Sequence, residues 1–82
     1  MNPINADAVL IAPDRCTPYL QRAVDTSLRD MAPGAVLEVP CPNLGTRVEL
    51  AEWCLHGGRR VLNPFEHWGN PRVLIENTSS AA

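Results

Sequence analysis

The fold of this chain is decided by residues 17–40, TPYLQRAVDTSLRDMAPGAVLEVP, which predict a helix, a turn and a strand in succession. Thr17 suits a helix cap because its hydroxyl can accept from free N–H groups of the first turn, and Pro18 suits the first helical position. Pro33-Gly34 then ends the helix, and residues 36–39 predict a buried strand. Apolar residues recur at spacings of four, four and three, which lines one helix face: Leu20, Val24, Leu28 and Met31.

The same alternation of strand and helix continues on both sides of this stretch. A short apolar run over residues 8–11 predicts a first buried strand. Downstream, Thr46-Arg47-Val48-Glu49 is interpreted as a capping box that opens a second helix, and Gly57-Gly58 ends it. Residues 60–62 and 72–75 predict two further strands. The apolar face of the second helix is expected to contain Val48, Leu50, Ala51, Cys54 and Leu55.

These elements predict an α+β fold in the order β-α-β-α-β-β. Two amphipathic helices and four short strands pack as a two-layer α/β sandwich, with both helices on one face of a four-stranded mixed sheet. The 82 residues are too few for two hydrophobic cores, so we expect a single domain. Its core should span about residues 6–76, and residues 77–82 are interpreted as a flexible tail.

Composition and charge exclude several classes of function. The seven basic residues are all Arg, which excludes Schiff-base catalysis by Lys and a phosphate-binding loop that needs Lys. A net charge of −2 argues against direct nucleic-acid binding. There is no apolar run long enough to span a membrane, and the N-terminus lacks the features of a signal peptide. We therefore expect a cytoplasmic protein that binds neither membrane nor nucleic acid directly.

Three cysteines, an odd number, argue against a closed disulfide framework and favour a reducing setting. Cys16 directly precedes the predicted cap Thr17, where the positive end of a helix would lower the pKa of a thiol and make it nucleophilic. The alternative, that Cys16 is a small apolar residue at a turn, stays open on position alone. Cys54 is expected to be a buried packing residue, and Cys41 is interpreted as a loop residue.

Two further features of the sequence are candidate sites. The set Cys41, Cys54, His56 and His67 lacks the paired spacing of zinc ligands, so no metal site is predicted. The apolar loop over residues 63–68 is expected either to fold back over the sheet or to meet a partner, with the first favoured.

A family resemblance spans about residues 6–75. A strand, a loop ending in Cys, a Pro at a helix start, Pro33-Gly34, Leu37-Glu38-Val39 and Trp53-Cys54 follow one another in an order that resembles the TusA/SirA family of small sulfur carriers. The signature of that family is Cys-Pro-x-Pro at the start of the first helix. Here the segment is Arg15-Cys16-Thr17-Pro18-Tyr19, and the helix register aligns Thr17 with the family cysteine. Either a one-residue insertion leaves Cys16 at the helix start, or the motif has degenerated.

The resemblance implies a sulfur carrier or sulfurtransferase that holds a persulfide sulfur on Cys16, with Arg15, Thr17 and Pro18 in supporting roles. It implies no cofactor. The implied partners are a persulfide donor protein, of the cysteine desulfurase or rhodanese type, and an acceptor protein. The alternative is a non-catalytic interaction or regulatory module that keeps the fold without the chemistry. A third interpretation, RNA binding by analogy to the C-terminal domain of translation initiation factor three, conflicts with the acidic net charge.

Overall fold

The computed structural model describes residues 6–64 and 71–78, and its elements follow the predicted order. The strands form one mixed sheet in the order β1-β2-β4-β3. β1 pairs parallel to β2, whereas β4 pairs antiparallel to both β2 and β3. The predicted α+β sandwich is therefore confirmed. The elements are β1 Ala8–Val9, α1 Pro18–Arg29, β2 Val36–Pro40, α2 Leu44–His56, β3 Arg60–Val61 and β4 Arg72–Glu76.

The strand order explains why the helices share one face of the sheet. β1, β2 and β3 all run in the same direction, because β4 is antiparallel to both β2 and β3. The crossovers through α1 and α2 both step the same way along the sheet, and right-handed crossovers in one direction place their helices on one face. Both helices consequently begin beside the carboxyl ends of β1 and β2.

The register of the sheet separates a core face from an outer face. Leu37 pairs with Ile75 and Val39 pairs with Val73, and the side chains of these pairs are buried under the helices. On the outer face, Glu38 pairs with Leu74. The outer face carries two ion pairs, from Arg60 to Glu76 at 3.0 Å and from Arg72 to Glu38 at 3.7 Å. The core beneath the helices includes Leu20, Val24, Leu28, Leu37, Val39, Cys41, Leu50, Ala51, Cys54, Val61, Val73 and Ile75.

α1 forms as the sequence predicts. Thr17 is its N-cap, and the Thr17 hydroxyl accepts a hydrogen bond from the backbone N–H of Leu20 at 3.3 Å. Pro18 occupies the first helical position. The helix ends at Arg29, two residues short of Met31, which lies partly buried against the core in the following turn.

α2 begins earlier than the sequence predicts, and the expected capping box at Thr46-Arg47-Val48-Glu49 is wrong. The N-cap is Asn43, whose side-chain oxygen accepts from the backbone N–H of Thr46 at 2.8 Å. The Thr46 hydroxyl is buried and donates instead to the carbonyl oxygen of Asp14 at 2.5 Å. The buried face therefore includes Thr46 and Arg47 along with Leu50, Ala51 and Cys54, and the predicted core residues Val48 and Leu55 are exposed.

Two buried asparagines complete the hydrogen bonding of β4. Asn63 donates through Nδ2 to the carbonyl of Arg72 at 3.0 Å, and its Oδ1 accepts from the N–H of Leu74 at 2.9 Å. Because these are the partners a neighbouring strand would supply, the Asn63 side chain extends the β3–β4 pairing beyond Val61.

The second asparagine corrects the predicted boundary of the tail. Asn77 is buried, and its Nδ2 donates to the carbonyl of Met31 at 2.7 Å. Its backbone N–H also donates to the carbonyl of Ala35, so Asn77 belongs to the fold and not to a tail. Residues 79–82 of the predicted tail, and residues 65–68 of the predicted apolar loop, lie outside the described residues. Neither α1 nor α2, the helices of the described part, is long and apolar enough to cross a membrane.

Candidate functional site

The loop that contains Cys16 leaves the sheet next to the end of β2. The chain continues to pair with β2 after Val9. The N–H of Leu10 donates to the carbonyl of Glu38 at 2.9 Å, and the N–H of Ala12 donates to the carbonyl of Pro40 at 3.0 Å. Cys16 follows four residues later and directly precedes the N-cap Thr17. The predicted position of Cys16 at the start of α1 is therefore confirmed. We call the region formed by Cys16, Cys41, Asn43 and Thr46 the thiol edge of the molecule.

The Cys16 side chain is partly buried and packs against the hydrophobic core. Its sulfur accepts a hydrogen bond from Nε2 of Gln21, on α1, at 3.8 Å. Glu49, on α2, is close enough to act on the thiol electrostatically. The thiol thus lies between residues of the two helices and is not freely exposed at the helix end.

Burial raises the pKa of Cys16 above its ordinary value of 9.0, which is the opposite of the predicted lowering. The hydrogen bond from Gln21 lowers the pKa, and the carboxylate of Glu49 raises it. Loss of water around a thiolate disfavours the charged form, and this effect is the largest of the three. At neutral pH the resting thiol is therefore protonated.

Cys41 lies between β2 and α2, as predicted for a loop residue, but it is only 8% exposed. Its backbone N–H donates to the carbonyl of Pro71 at 2.9 Å, and its thiol donates to the carbonyl of Val39 at 3.4 Å. Burial raises the pKa of Cys41 to about 11; Arg47 acts to lower it, and Cys16 acts to raise it. Cys16 is therefore near enough to Cys41 to influence its ionisation, and it acts on Cys54 in the same direction.

Cys54 is fully buried on α2, which confirms its predicted role as a packing residue. Burial raises its pKa to about 12; Arg59 acts to lower it, and Cys16 and Asp25 act to raise it. All three cysteines are in the free thiol form.

The supporting residues predicted around Cys16 differ in what they contact. Thr17 and Pro18 organise the first turn of α1, whereas Arg15 is exposed to solvent. Gln21 and Glu49 act on the thiol and were missed by the sequence analysis. Gln21 follows Cys16 by five residues across the start of α1, a separation that the i, i+3 and i, i+4 rules do not cover, so no sequence pattern indicated this contact.

Arg47 joins α2 to both ends of the β3–β4 connection. It is 3% exposed, and its guanidinium donates only to backbone carbonyls in the described part of the chain. Nε donates to Arg72 at 3.2 Å, Nη1 donates to Pro64 at 3.3 Å, and Nη2 donates to Asn63. A buried Arg is normally paired with a carboxylate. A buried Arg that binds backbone carbonyls instead has no signature in the sequence, so Arg47 was not predicted.

A second cluster lies at the carboxyl ends of the helices, and we call its residues Asp25, Trp53 and Arg59 the charged edge. Arg59 donates through Nε and Nη2 to the two carboxylate oxygens of Asp25, each at 2.9 Å. The guanidinium carbon also lies 3.8 Å from the centre of the Trp53 ring. Beside this cluster is an open cavity of about 310 Å³ whose lining includes Arg29 and Glu76.

Within residues 6–64 and 71–78, no three His, Cys, Asp or Glu side chains are grouped so as to hold a metal ion. His67, which belongs to the set Cys41, Cys54, His56 and His67, lies outside these residues.

No protein-family model matches the chain, and no curated protein matches it significantly in sequence. The functional assignment therefore depends on the chemistry of the thiol edge.

Proposed function

We propose that this protein is a sulfur carrier, which accepts a sulfane sulfur on Cys16 as a persulfide and passes it to an acceptor protein. The observation that carries the proposal is a free thiol one residue ahead of the N-cap of α1, at the edge of the sheet where both helices begin. The order β-α-β-α-β-β around that thiol is the arrangement for which the sequence resembles the TusA/SirA carriers.

The uptake step needs only the thiol and a donor persulfide. The Cys16 thiolate attacks the outer sulfur of the donor persulfide, a new sulfur–sulfur bond forms at Cys16, and the donor cysteine leaves as its thiolate. A persulfide ionises more readily than a thiol. The product is therefore an anion at neutral pH, and an anion near a helix N-terminus is stabilised by the helix dipole. The Nε2 donor of Gln21 supports the same charge.

The raised pKa of Cys16 makes the resting carrier selective. A protonated thiol reacts slowly with small oxidants and alkylating agents, because the thiolate is the nucleophile. Uptake then depends on the donor protein, of the cysteine desulfurase or rhodanese type, which holds its persulfide against Cys16 in a reducing, cytoplasmic setting. No cofactor takes part in the step.

Intact mass after incubation with a cysteine desulfurase and free cysteine tests the proposal. We expect an addition of about 32 Da that a thiol reductant removes. The Cys16→Ser variant should show no addition, and Cys54→Ser, which leaves Cys16 in place, should be loaded like the wild type. An unchanged mass for the wild type, or full loading of Cys16→Ser, contradicts the proposal.

A second candidate is a non-catalytic interaction module. Two observations favour it: the raised pKa of Cys16, and exposed apolar side chains along α2 at helical spacing. These residues are Leu44, Val48 and Leu55, which are 50%, 42% and 53% exposed. If the protein is a non-catalytic interaction module, its mass should not change with any persulfide donor. The loading experiment therefore separates the two candidates.

A further inference from the structure

Two of the three thiols belong to the thiol edge. Cys16 and Cys41 both lie in loops that leave the carboxyl ends of β1 and β2, which are neighbours in the sheet. The hydrogen bond from Ala12 to Pro40 joins the two chain segments just before these loops. Beyond it, the bond from the Thr46 hydroxyl to the Asp14 carbonyl ties the Cys16 loop to the first turn of α2. Cys41 is part of the core against which the Cys16 side chain packs.

From this arrangement we propose that Cys41 is the resolving thiol of Cys16: it displaces the sulfane sulfur of the loaded carrier as hydrosulfide and closes a Cys16–Cys41 disulfide. This inference rests on the proposed function, and it adds a second reacting residue to the site. Cys41 would give the carrier a route to unload when no acceptor takes the sulfur.

The position of Cys41 makes it a better partner for Cys16 than Cys54. Cys16 lies in the loop ahead of the α1 cap, outside any helix or strand, so its backbone can adjust towards the Cα separation of about 4.4–6.8 Å that a disulfide requires, whereas the N–H bond to Pro71 holds Cys41 in place. Cys16 acts on the pKa of Cys54 as well as on that of Cys41, so what sets Cys54 apart is its place ten residues into α2. It is also fully buried within a regular helix. A bond to Cys54 would require the helix to move.

The step balances without an outside oxidant. The Cys41 thiolate attacks the inner sulfur of the Cys16 persulfide, forming the Cys16–Cys41 bond and breaking the bond to the outer sulfur. The outer sulfur leaves with the electron pair and takes up the proton that Cys41 lost. The sulfane sulfur is reduced to hydrosulfide, and the two cysteines are oxidised. A dithiol reductant then returns the pair to free thiols.

Burial of Cys41 makes this step slow at neutral pH. With a pKa of about 11, Cys41 is a thiolate in only about one molecule in ten thousand at pH 7. The loaded carrier should therefore keep its sulfur near neutrality. Sulfide release should rise about tenfold per pH unit as the pH approaches 11, because the fraction of thiolate rises at that rate.

The central experiment follows sulfide release from loaded protein. Carrier loaded by a cysteine desulfurase is separated from the donor and held without oxygen at pH 8, 9 and 10, and sulfide and intact mass are measured. The wild type should lose the added sulfur and end about 2 Da below the reduced protein, the mass of one disulfide. Cys41→Ser should release sulfide at least tenfold more slowly, and Cys54→Ser, the matched control, should behave as the wild type. Equal rates for the wild type and Cys41→Ser overturn the proposal.

Tryptic digestion identifies the disulfide partner of Cys16 directly. It places the three cysteines in separate peptides, residues 16–22, 30–47 and 48–59. A disulfide between the first two peptides is expected. A disulfide between the peptides of residues 16–22 and 48–59 names Cys54 as the partner and overturns the proposal. If Cys41→Ser has lost its circular dichroism signal, Cys41→Ala is used in its place, and mapping of the wild type needs neither variant.

Failure of this proposal is distinguishable from failure of the proposed function. Loading that persists equally in the wild type and in Cys41→Ser keeps Cys16 as a carrier and removes the role of Cys41. If no sulfur is loaded at all, the carrier function fails, and diamide oxidation of the unloaded protein then tests the pair by itself. A Cys16–Cys41 disulfide in that protein supports the pairing, and any other linkage overturns it.

Discussion

The two ends of the helix pair are held by different interactions, an ion pair at the charged edge and a neutral hydrogen bond at the thiol edge. At the charged edge, the ion pair between Asp25 and Arg59 connects α1 to the residues after α2, and Arg59 also stacks on Trp53. At the thiol edge, the connection is a neutral hydrogen bond from the Thr46 hydroxyl to a backbone carbonyl. The first is sensitive to salt, and the second is not.

This difference follows from the direction of the helices. Both carboxyl ends lie at the charged edge, where a cation such as Arg59 is favoured by the helix dipole. Both amino ends lie at the thiol edge, where an anion is favoured. The persulfide anion that we propose on Cys16 would lie at the end where the helix dipoles favour it.

The largest expected effect comes from Arg47, which connects the thiol edge to the β3–β4 connection. Arg47→Leu leaves the carbonyls of Asn63 and Pro64 without these donors, while the Arg72 carbonyl keeps the Asn63 amide, so we expect a loss of about 2–6 kcal/mol of unfolding free energy. Urea denaturation followed by circular dichroism measures it. The exposed Arg22→Leu makes the same chemical change and should cost less than about 0.5 kcal/mol. Equal losses would show that Arg47 does not support this end of the molecule.

A smaller effect should appear when the thiol edge is titrated. The pKa of Cys41 is raised from 9.0 to about 11 in the folded protein, so its contribution is fully present below pH 9 and is lost as the pH rises towards 11. The two-unit difference corresponds to at most about 3 kcal/mol of unfolding free energy. The denaturation midpoint of the wild type should therefore fall more steeply between pH 9 and 11 than that of Cys41→Ser. Parallel curves for the two proteins would contradict the burial of this thiol.

The smallest effect should come from the charged edge. Arg59→Met removes the bidentate ion pair and the contact with Trp53, and we expect a loss of about 1–2 kcal/mol at low salt. A double-mutant cycle with Asp25→Asn should give a coupling energy of about 1 kcal/mol that falls in 1 M NaCl, since salt screens the pair. A coupling energy that does not change with salt would remove the contrast between the two edges.

The two helices show how far sequence alone predicts this fold. α1 is local in its causes: cap, proline and apolar spacing all lie within residues 17–31, and the prediction is confirmed. α2 has an equally local cap, Asn43, but the role of Thr46 depends on a tertiary contact, because its hydroxyl bonds to Asp14, 32 residues earlier in the chain. A capping pattern at Thr46 was present in the sequence, but its side chain had a distant partner that no local pattern shows.

The candidate site divides in the same way. The position of Cys16 ahead of Thr17 follows from the sequence, since it depends on where α1 begins. The pKa of Cys16 does not follow from the sequence, because desolvation of the thiol depends on how α1 and α2 pack around the sulfur. The burial of Cys41 was missed for a related reason: Pro40 and Pro42 mark a loop, but the bond from Cys41 to Pro71 that closes this loop against β4 is long-range.

Asn63, whose side chain extends the β3–β4 pairing, is followed in the chain by Pro64. Asparagine ages chemically when the backbone nitrogen of the next residue attacks the side-chain amide and expels ammonia. The nitrogen of a proline carries no hydrogen and cannot take part in this ring closure. The amide that donates to the Arg72 carbonyl is therefore protected from conversion to an aspartate, whose negative charge would face that carbonyl oxygen. Pro64 thus protects the hydrogen bonds between the Asn63 side chain and β4 from this chemical ageing.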